Sequence, residues 1–132
     1  MRVDFAFLCD AATESAGKLF ALGIGIDHLQ VRELPARHPR LTFVARLSFD
    51  ASEGGRRRFQ IRFVDADGRA VTAAVDGELA VTVPPGVTEA KANLIVDLVN
   101  LEFTAQGPHE LSLLVGDDEV VTLPLEVVNT PA

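Results

Sequence analysis

Strict alternation of apolar and polar residues runs through most of this chain and limits what it can fold into. The stretch LTFVARLSF places five apolar residues on one side, Leu41, Phe43, Ala45, Leu47 and Phe49, with the polar residues Thr42, Arg46 and Ser48 opposite. The stretch FQIRFV repeats this pattern with Phe59 and Ile61, and no window of a dozen residues carries a helical stripe. A period of two residues is typical of half-buried strands. The sequence therefore predicts an all-β protein.

Turn signals separate these alternating segments at the spacing of a β-sandwich. The sequences DADGR, PPG, AQGPH and GDDE each stand between two apolar runs. Pro124 interrupts the last run and predicts an edge position or a bulge there. We predict a single domain over residues 1–132, long enough to bury one core. We expect a two-sheet antiparallel β-sandwich of about eight strands with Greek-key, immunoglobulin-like topology.

Composition excludes several classes of partner. The formal charge of −7 opposes binding to nucleic acid or to an anionic membrane surface. No apolar run approaches the ~20 residues of a membrane span, and the first residues lack the pattern of a signal peptide. A single cysteine permits no internal disulfide, which suits a reducing compartment. We predict a cytoplasmic protein that binds neither nucleic acid nor membrane.

The stretch LFALGIGIDHL begins like a phosphate-binding loop, because two glycines spaced G-x-G follow an apolar run. A dinucleotide fingerprint needs a third glycine and a following helix. His28 stands in the third position, and Pro35 and Pro39 interrupt the residues after it. This stretch therefore does not predict a nucleotide site, and we expect no cofactor.

The same stretch is better explained as a strand. Alternation would place Phe20, Leu22, Ile24 and Ile26 on one face, with Ala21, Gly23 and Gly25 on the other. Glycine weakens a strand unless the backbone bulges or another group must approach closely. Two interpretations stay open: a bulge for sheet curvature, or a smooth face with Gly23 and Gly25 that contacts another segment or subunit.

No combination of residues predicts a catalytic or zinc site. Cys9 with His28 or His109, or a serine such as Ser15 or Ser112 with a histidine, would need the two groups within hydrogen-bond reach. The alternation instead places Cys9 beside Val3, Phe5 and Phe7 on the buried face of the first strand, where cysteine acts as a small apolar residue. The histidines lack zinc spacing. We predict that the protein is not an enzyme and holds no catalytic residue or metal.

Two acidic turns leave a calcium-binding alternative open. Asp65 and Asp67 stand in one turn, and Asp117 and Asp118 in another, and Ca²⁺ takes six to eight oxygen ligands. However, each pair also has the composition of a hairpin turn. If every strand reverses direction, the two turns lie at opposite ends of the molecule.

GGRRRF contains the only basic cluster, Arg56, Arg57 and Arg58. These arginines could contact an acidic partner, or form a solvated strand edge that discourages aggregation. Residues 70–132 hold Lys91 alone against ten acidic residues. The acidic half of another copy is therefore one candidate partner for the cluster.

Two stretches resemble known sequences. FLCDAATESAGKLFALGIGID resembles the opening of an uncharacterised family of small bacterial proteins, and the match rests on Cys9, Asp10, Gly17, Leu19, Gly23 and Gly25. QGPHELSLLVGDDEVVTLPLEV is similar to the last hairpin of immunoglobulin-like sandwiches, although His109 stands where those hairpins often carry tyrosine. Neither resemblance implies an activity.

Together these observations predict a protein of unknown function that acts as a non-catalytic interaction or structural module. We expect it to form a homo-oligomer or to bind a protein partner. The alternative is a β-sandwich that binds a ligand or Ca²⁺ through its loop aspartates.

Overall fold

The computed structural model describes residues 1–131, and these residues form an all-β fold, as predicted. Their one helical element is a turn of 3-10 helix at Ala51–Glu53. Among them, no helix is long and apolar enough to cross a membrane. The strands number ten rather than about eight: β1 (Arg2–Cys9), β2 (Ala11–Ser15), β3 (Lys18–Leu22), β4 (His28–Val31), β5 (Ala36–Asp50), β6 (Gly55–Asp65), β7 (Val75–Val81), β8 (Glu89–Phe103), β9 (Gly107–Val115) and β10 (Asp118–Asn129).

The strands hydrogen-bond into three sheets rather than the two predicted. One sheet has the order β1-β5-β8, a second, curled sheet has the order β4-β10-β9-β6-β7, and β2 and β3 form a separate hairpin. The arrangement is also not wholly antiparallel, because β4 runs parallel to the end of β10. The parallel pair forms because the chain crosses from the hairpin to the far edge of the five-stranded sheet before it enters β4.

The core lies between the three-stranded and the five-stranded sheets. Alternation in β5 and β6 places their aromatic residues as predicted, and Phe43, Phe49 and Phe63 are fully buried together with Phe103 of β8. Phe63 and Phe103 meet edge to face, with ring centroids 5.9 Å apart. Residues of both sheets thus contribute to a single core.

The predicted inward face of β1 is wrong. The pairing of β1 with β5 shifts between Val3 and Phe5, so that a bulge reverses the alternation. Leu8 joins the core and Ala6 packs against it, whereas Phe5 is 39% exposed. Phe5 and Phe7 instead stack on the outer face of the sheet, with ring centroids 5.8 Å apart.

Pro124 occupies a position where β10 is locally an edge. It pairs with Glu110 of β9 on one side, while β4 pairs with β10 only from Glu126 onward. The missing N–H of proline therefore interrupts no ladder on the open side. This agrees with the edge position predicted for it.

Candidate functional site

The β2–β3 hairpin lies across the outer face of the three-stranded sheet. At its tip, Asn93 of β8 donates hydrogen bonds from Nδ2 to Glu14 Oε2 at 2.6 Å and to the Gly17 carbonyl at 3.3 Å. At its base, Arg40 of β5 donates from Nη2 to the carbonyl oxygen of Asp10 at 3.4 Å. Thr42 and its neighbour Val44 face outward from the core, and both are fully buried. The hairpin thus covers the middle of this face and is anchored at both ends.

The two faces of the hairpin differ sharply. Leu19 and Ala21 are half-buried, as expected of side chains that face the sheet beneath. Phe20 and Leu22 alternate with them and point away from the sheet, with exposed fractions of 54% and 72%. Ile24, just beyond the end of β3, is 60% exposed. We call Phe20, Leu22 and Ile24 the apolar strip.

The structure divides the face on which these residues were predicted to lie. We predicted that Phe20, Leu22, Ile24 and Ile26 share one face of a strand, but β3 ends at Leu22 and only Ile26 packs against the core. The alternation is real within β3, yet the hairpin forms a layer of its own, and the sheet beneath covers only the opposite face. Periodicity shows that two faces differ without showing which face is covered.

Three large apolar side chains so close together are costly to leave in water. Burial of such a side chain is worth about 1.5–3 kcal/mol. Scattered exposed apolar residues are normal, but a contiguous exposed group typically marks an interaction site. The outer face of β1 adds Phe5 and Phe7 on the same side of the molecule. This side is the strongest candidate for a functional surface.

Few charges surround the apolar strip. The outward positions of β2 are Ala11, Thr13 and Ser15, which pair with Leu22, Phe20 and Lys18 across the ladder. Lys18 is therefore the one charged residue among the outward positions of the two strands. The carboxylate of Glu14 belongs to the opposite face, where Asn93 holds it. The outward side chains of β2 and β3 therefore present no acidic charge to a protein that approaches this face.

The two glycines of LFALGIGIDHL do not form the predicted strand face. β3 ends at Leu22 and β4 begins at His28, and between them Gly23 and Gly25 adopt φ angles of +69° and +92°. This left-handed conformation ends a strand and favours glycine. The loop lets the chain leave the hairpin, and the amides of Gly25 and Ile26 donate to the Leu8 carbonyl. A contact role for Gly23 and Gly25 in an interface stays a prediction.

The three arginines of GGRRRF are separated by the alternation of β6. Arg57 turns toward the 3-10 helix, where Nε and Nη2 donate to the Glu53 carbonyl at 3.2 and 2.8 Å. Its guanidinium lies 5.9 Å from the centroid of the Phe49 ring. Arg56 and Arg58 point outward, and Nη1 of Arg56 lies 3.6 Å from Oε2 of Glu78. The cluster is therefore not one patch, and a contact with an acidic partner stays a prediction for its outward members.

Arg58 and Arg62 line a shallow depression of about 630 Å³ on the outer face of the five-stranded sheet. Acidic groups line it as well, namely Asp76, Glu78 and Asp117. Because both signs of charge are present, the depression does not favour an anion.

Cys9 lies at the buried end of β1. Its Sγ donates a weak hydrogen bond to the Ala11 carbonyl at 3.5 Å. Burial raises the pKa of the Cys9 thiol, which disfavours the reactive thiolate. In the described part of the chain, no hydrogen bond joins a histidine to Cys9, Ser15 or Ser112. The pairs that we considered for nucleophilic chemistry are therefore not assembled in residues 1–131.

The two acidic turns lie at opposite ends of the five-stranded sheet. In the β6–β9 ladder, Phe59 pairs with Val115 at one end and Asp65 pairs with His109 at the other. Asp65 Oδ1 accepts the amide hydrogens of Asp67 and Arg69, each at 2.9 Å, which is the bonding of an Asp turn. Within residues 1–131, no group of three or more His, Cys, Asp or Glu residues is arranged to hold a metal. The calcium alternative gains no support from this geometry.

A polar network that the sequence did not indicate lies on the outer face near the start of β1. Asp4 accepts hydrogen bonds from Ser48 Oγ at 2.7 Å and Lys91 Nζ at 2.9 Å. The Ser48 hydroxyl, followed by the Lys91 ammonium, lowers the pKa of Asp4 to about 2. Lys91 Nζ also donates a hydrogen bond to Ser48 Oγ at 2.5 Å. However, its hydrogen bond with Glu89 and, to a smaller extent, its hydrogen bond with Asp4 raise the pKa of Lys91. Lys91 therefore stays protonated and cannot serve as a base toward Ser48.

Solved structures share the fold over part of their length. A β-glucosidase from Listeria innocua in complex with isofagomine matches 97% of this chain with 11% identity and a TM-score of 0.53. The same enzyme in complex with glucose matches 81% of this chain with a TM-score of 0.52. The chain spans only 17% and 15% of those two chains. These likenesses concern the fold of one segment of the glucosidase.

A third structure is less similar. The alkylpurine DNA glycosylase AlkC of Pseudomonas fluorescens, bound to DNA with an abasic site analogue, matches 77% of this chain with 12% identity and a TM-score of 0.48. This chain spans 28% of it.

Sequence comparison places the chain in a family. No curated protein matches it. A family of unknown function, DUF6941, matches residues 4–128, which include the Cys-Asp and glycine-rich segments that resemble an uncharacterised family. The expected membership of such a family is confirmed. The chain belongs to the family of unknown function DUF6941.

Proposed function

We propose that this domain is a non-catalytic protein-interaction module that binds its partner through the apolar strip. The observation that carries the proposal is the exposure of Phe20 and Leu22 on a hairpin whose other face is anchored to the sheet, together with that of Ile24 in the loop directly after it. An anchored hairpin presents these side chains in a fixed arrangement, so that a partner does not need to order them on binding. Preorganisation of this kind favours affinity.

The state of the candidate nucleophiles supports a binding role over a catalytic one. The Cys9 thiol is buried and held as the thiol, and Ser48 is buried beneath a protonated Lys91. The single free cysteine also suits the reducing cytoplasm, where we expect the protein to act.

We also propose that the three-stranded and five-stranded sheets form an immunoglobulin-like Greek-key sandwich to which the β2–β3 hairpin is added. The single core shared by the two sheets supports this description. On this view the hairpin is the element that distinguishes the domain from a plain sandwich, and the apolar strip is its binding surface.

Site-specific photo-cross-linking tests the proposed binding surface. A benzoylphenylalanine in place of Phe20 is expected to form a protein adduct in the native cell. Val99 of β8 has the same exposed fraction, 54%, and provides the matched control position. An adduct at position 20 but not at position 99 is the expected result. Equal labelling at both positions, or none at position 20, would contradict the proposal.

A further inference from the structure

We infer that the partner of the apolar strip is a second copy of this chain, packed face to face on the hairpin with the strands antiparallel. This inference rests on the proposed function and names the occupant of the same surface. In a two-fold arrangement each residue of one hairpin faces a defined residue of the other. The properties of the hairpin make this arrangement self-complementary.

The register follows from the ladder of the hairpin. With Phe20 on the two-fold axis, Phe20 faces Phe20 of the second copy, and Lys18 of each copy faces Leu22 of the other. Thr13, which pairs with Phe20 across the hairpin, likewise faces Thr13. The centre of the contact is then aromatic and uncharged, which is the composition that buried interface centres favour.

A carboxylate lies at the position that Lys18 reaches. The Asp10 amide donates to the Leu22 carbonyl at 2.9 Å, and Asp10 Oδ2 lies against Gly23, the residue directly after Leu22. Sheets that pack face to face are about 10 Å apart, a gap that an extended lysine and an aspartate side chain can span together. Lys18 of each copy therefore meets Asp10 of the other, and the symmetry produces this ion pair twice.

The overall charge favours this face over others for self-association. Two copies with a formal charge of −7 each repel one another over most of their surfaces. On the hairpin the strands carry Lys18 outward, and Asp10, directly before β2, lies at the opposite end of β3. Antiparallel packing matches these opposite charges, whereas parallel packing would set like charges together.

A charge-exchange experiment tests this geometry. Lys18→Glu sets two carboxylates together at both ends of the contact, and Asp10→Lys sets two ammonium groups together. Each variant alone is expected to weaken self-association on the order of tenfold or more, because like charges in an interface are costly. An equimolar mixture of the two variants should form a heterodimer again. In that heterodimer each end of the contact joins a carboxylate of one chain to an ammonium group of the other. Light scattering behind size exclusion, with one variant carrying a fusion tag, separates the species.

Arg69→Glu provides the control, because it makes the same change of charge in the exposed turn after β6. Its mixture with Asp10→Lys should not restore a heterodimer. Circular dichroism of each variant establishes that it is folded, and Lys18→Gln with Asp10→Asn serves as a neutral pair if a charge-reversed variant does not fold. That pair should associate more weakly than the wild type and show less dependence on salt.

Each outcome decides the inference. Restored association in the mixture, with none in the control, supports the antiparallel dimer. A wild-type dimer whose two variants do not complement each other overturns this geometry. A wild-type protein that stays monomeric at millimolar concentration overturns the second copy as partner. In that last case, a cross-link from position 20 to a different protein would still support the binding surface, whereas none would overturn both proposals.

Discussion

The carboxylate of Asp10 lies so close to Gly23 that a Cβ on residue 23 would overlap Asp10 Oδ2. This contact lies at the base of the hairpin. There the chain leaves β1 after Cys9 and leaves β3 after Leu22. Glycine is therefore required at position 23 for two reasons. Its φ of +69° is left-handed, and the carboxylate of Asp10 occupies the space that a Cβ would need.

Gly23→Ala should lower the free energy of unfolding by more than about 1 kcal/mol, because alanine resists a positive φ and would also collide with Asp10. Gly25→Ala is the matched control, since Gly25 has φ of +92° but open space around it. Urea denaturation should show the larger loss for Gly23→Ala. Equal losses would mean that the Asp10 contact has no energetic weight. Asp10→Ala combined with Gly23→Ala should recover part of the difference.

Gly77→Ala should destabilise the five-stranded sheet by about 1–3 kcal/mol, because overpacking forces a neighbouring side chain to move. A Cβ on residue 77 would overlap Cζ of Phe59, whose ring stacks over this glycine across the β6–β7 ladder. Gly54→Ala is the control, because its Cβ would meet no atom closer than 3.7 Å. Thermal denaturation should separate the two variants, and similar midpoints would contradict the prediction.

Leu22→Ala should leave the free energy of unfolding within about 0.5 kcal/mol of the wild type, since the side chain is 72% exposed. Leu111→Ala, at a fully buried position, should cost about 2–5 kcal/mol. The two values are to be measured by urea denaturation at a concentration where the wild type is monomeric. A large loss for Leu22→Ala would show that the apolar strip supports the fold of the single chain.

Arg57→Ala should cost about 1–2 kcal/mol, because it removes two hydrogen bonds to the Glu53 carbonyl and the contact with the Phe49 ring. Arg58→Ala, the next residue but on the exposed face, should change stability little. Chemical denaturation of the pair at the same salt concentration distinguishes them. Equal effects would contradict the division of the arginine cluster by β6.

Asp4→Asn should destabilise the protein at neutral pH and make no difference in strong acid. The pKa of Asp4 is lowered to about 2, mainly by the Ser48 hydroxyl and then by Lys91, below the ordinary value of 3.8. A lowered pKa in the folded state means that the ionised form stabilises it. This contribution is complete above about pH 4 and is lost as the pH falls through 2. Urea denaturation of both proteins between pH 2 and 7 measures the difference, and a constant difference would contradict the assignment.

The alternation of residues was enough to predict the all-β class and much of the core. Leu41, Phe43 and Phe63 are buried as their spacing indicates, because a strand whose faces differ in polarity gains free energy only by covering the apolar one. The resemblance around Cys9 and Gly23 also predicted membership of an uncharacterised family, and the match over residues 4–128 confirms that membership. The local chemistry of turns likewise identified the loop at Asp65, since its carboxylate accepts the amide hydrogen of Asp67 and Gly68 supplies the positive φ of the turn.

What covers each face was decided only by the tertiary structure. The bulge after Val3 exchanged the two faces of β1, and the hairpin layer exposed Phe20 and Leu22 although their spacing equals that of buried residues. Alternation records the difference between two faces, but burial depends on contacts between segments far apart in sequence. The sequence by itself therefore determined the all-β class and much of the aromatic core, whereas the apolar strip and its neighbour Asp10 came together only through folding.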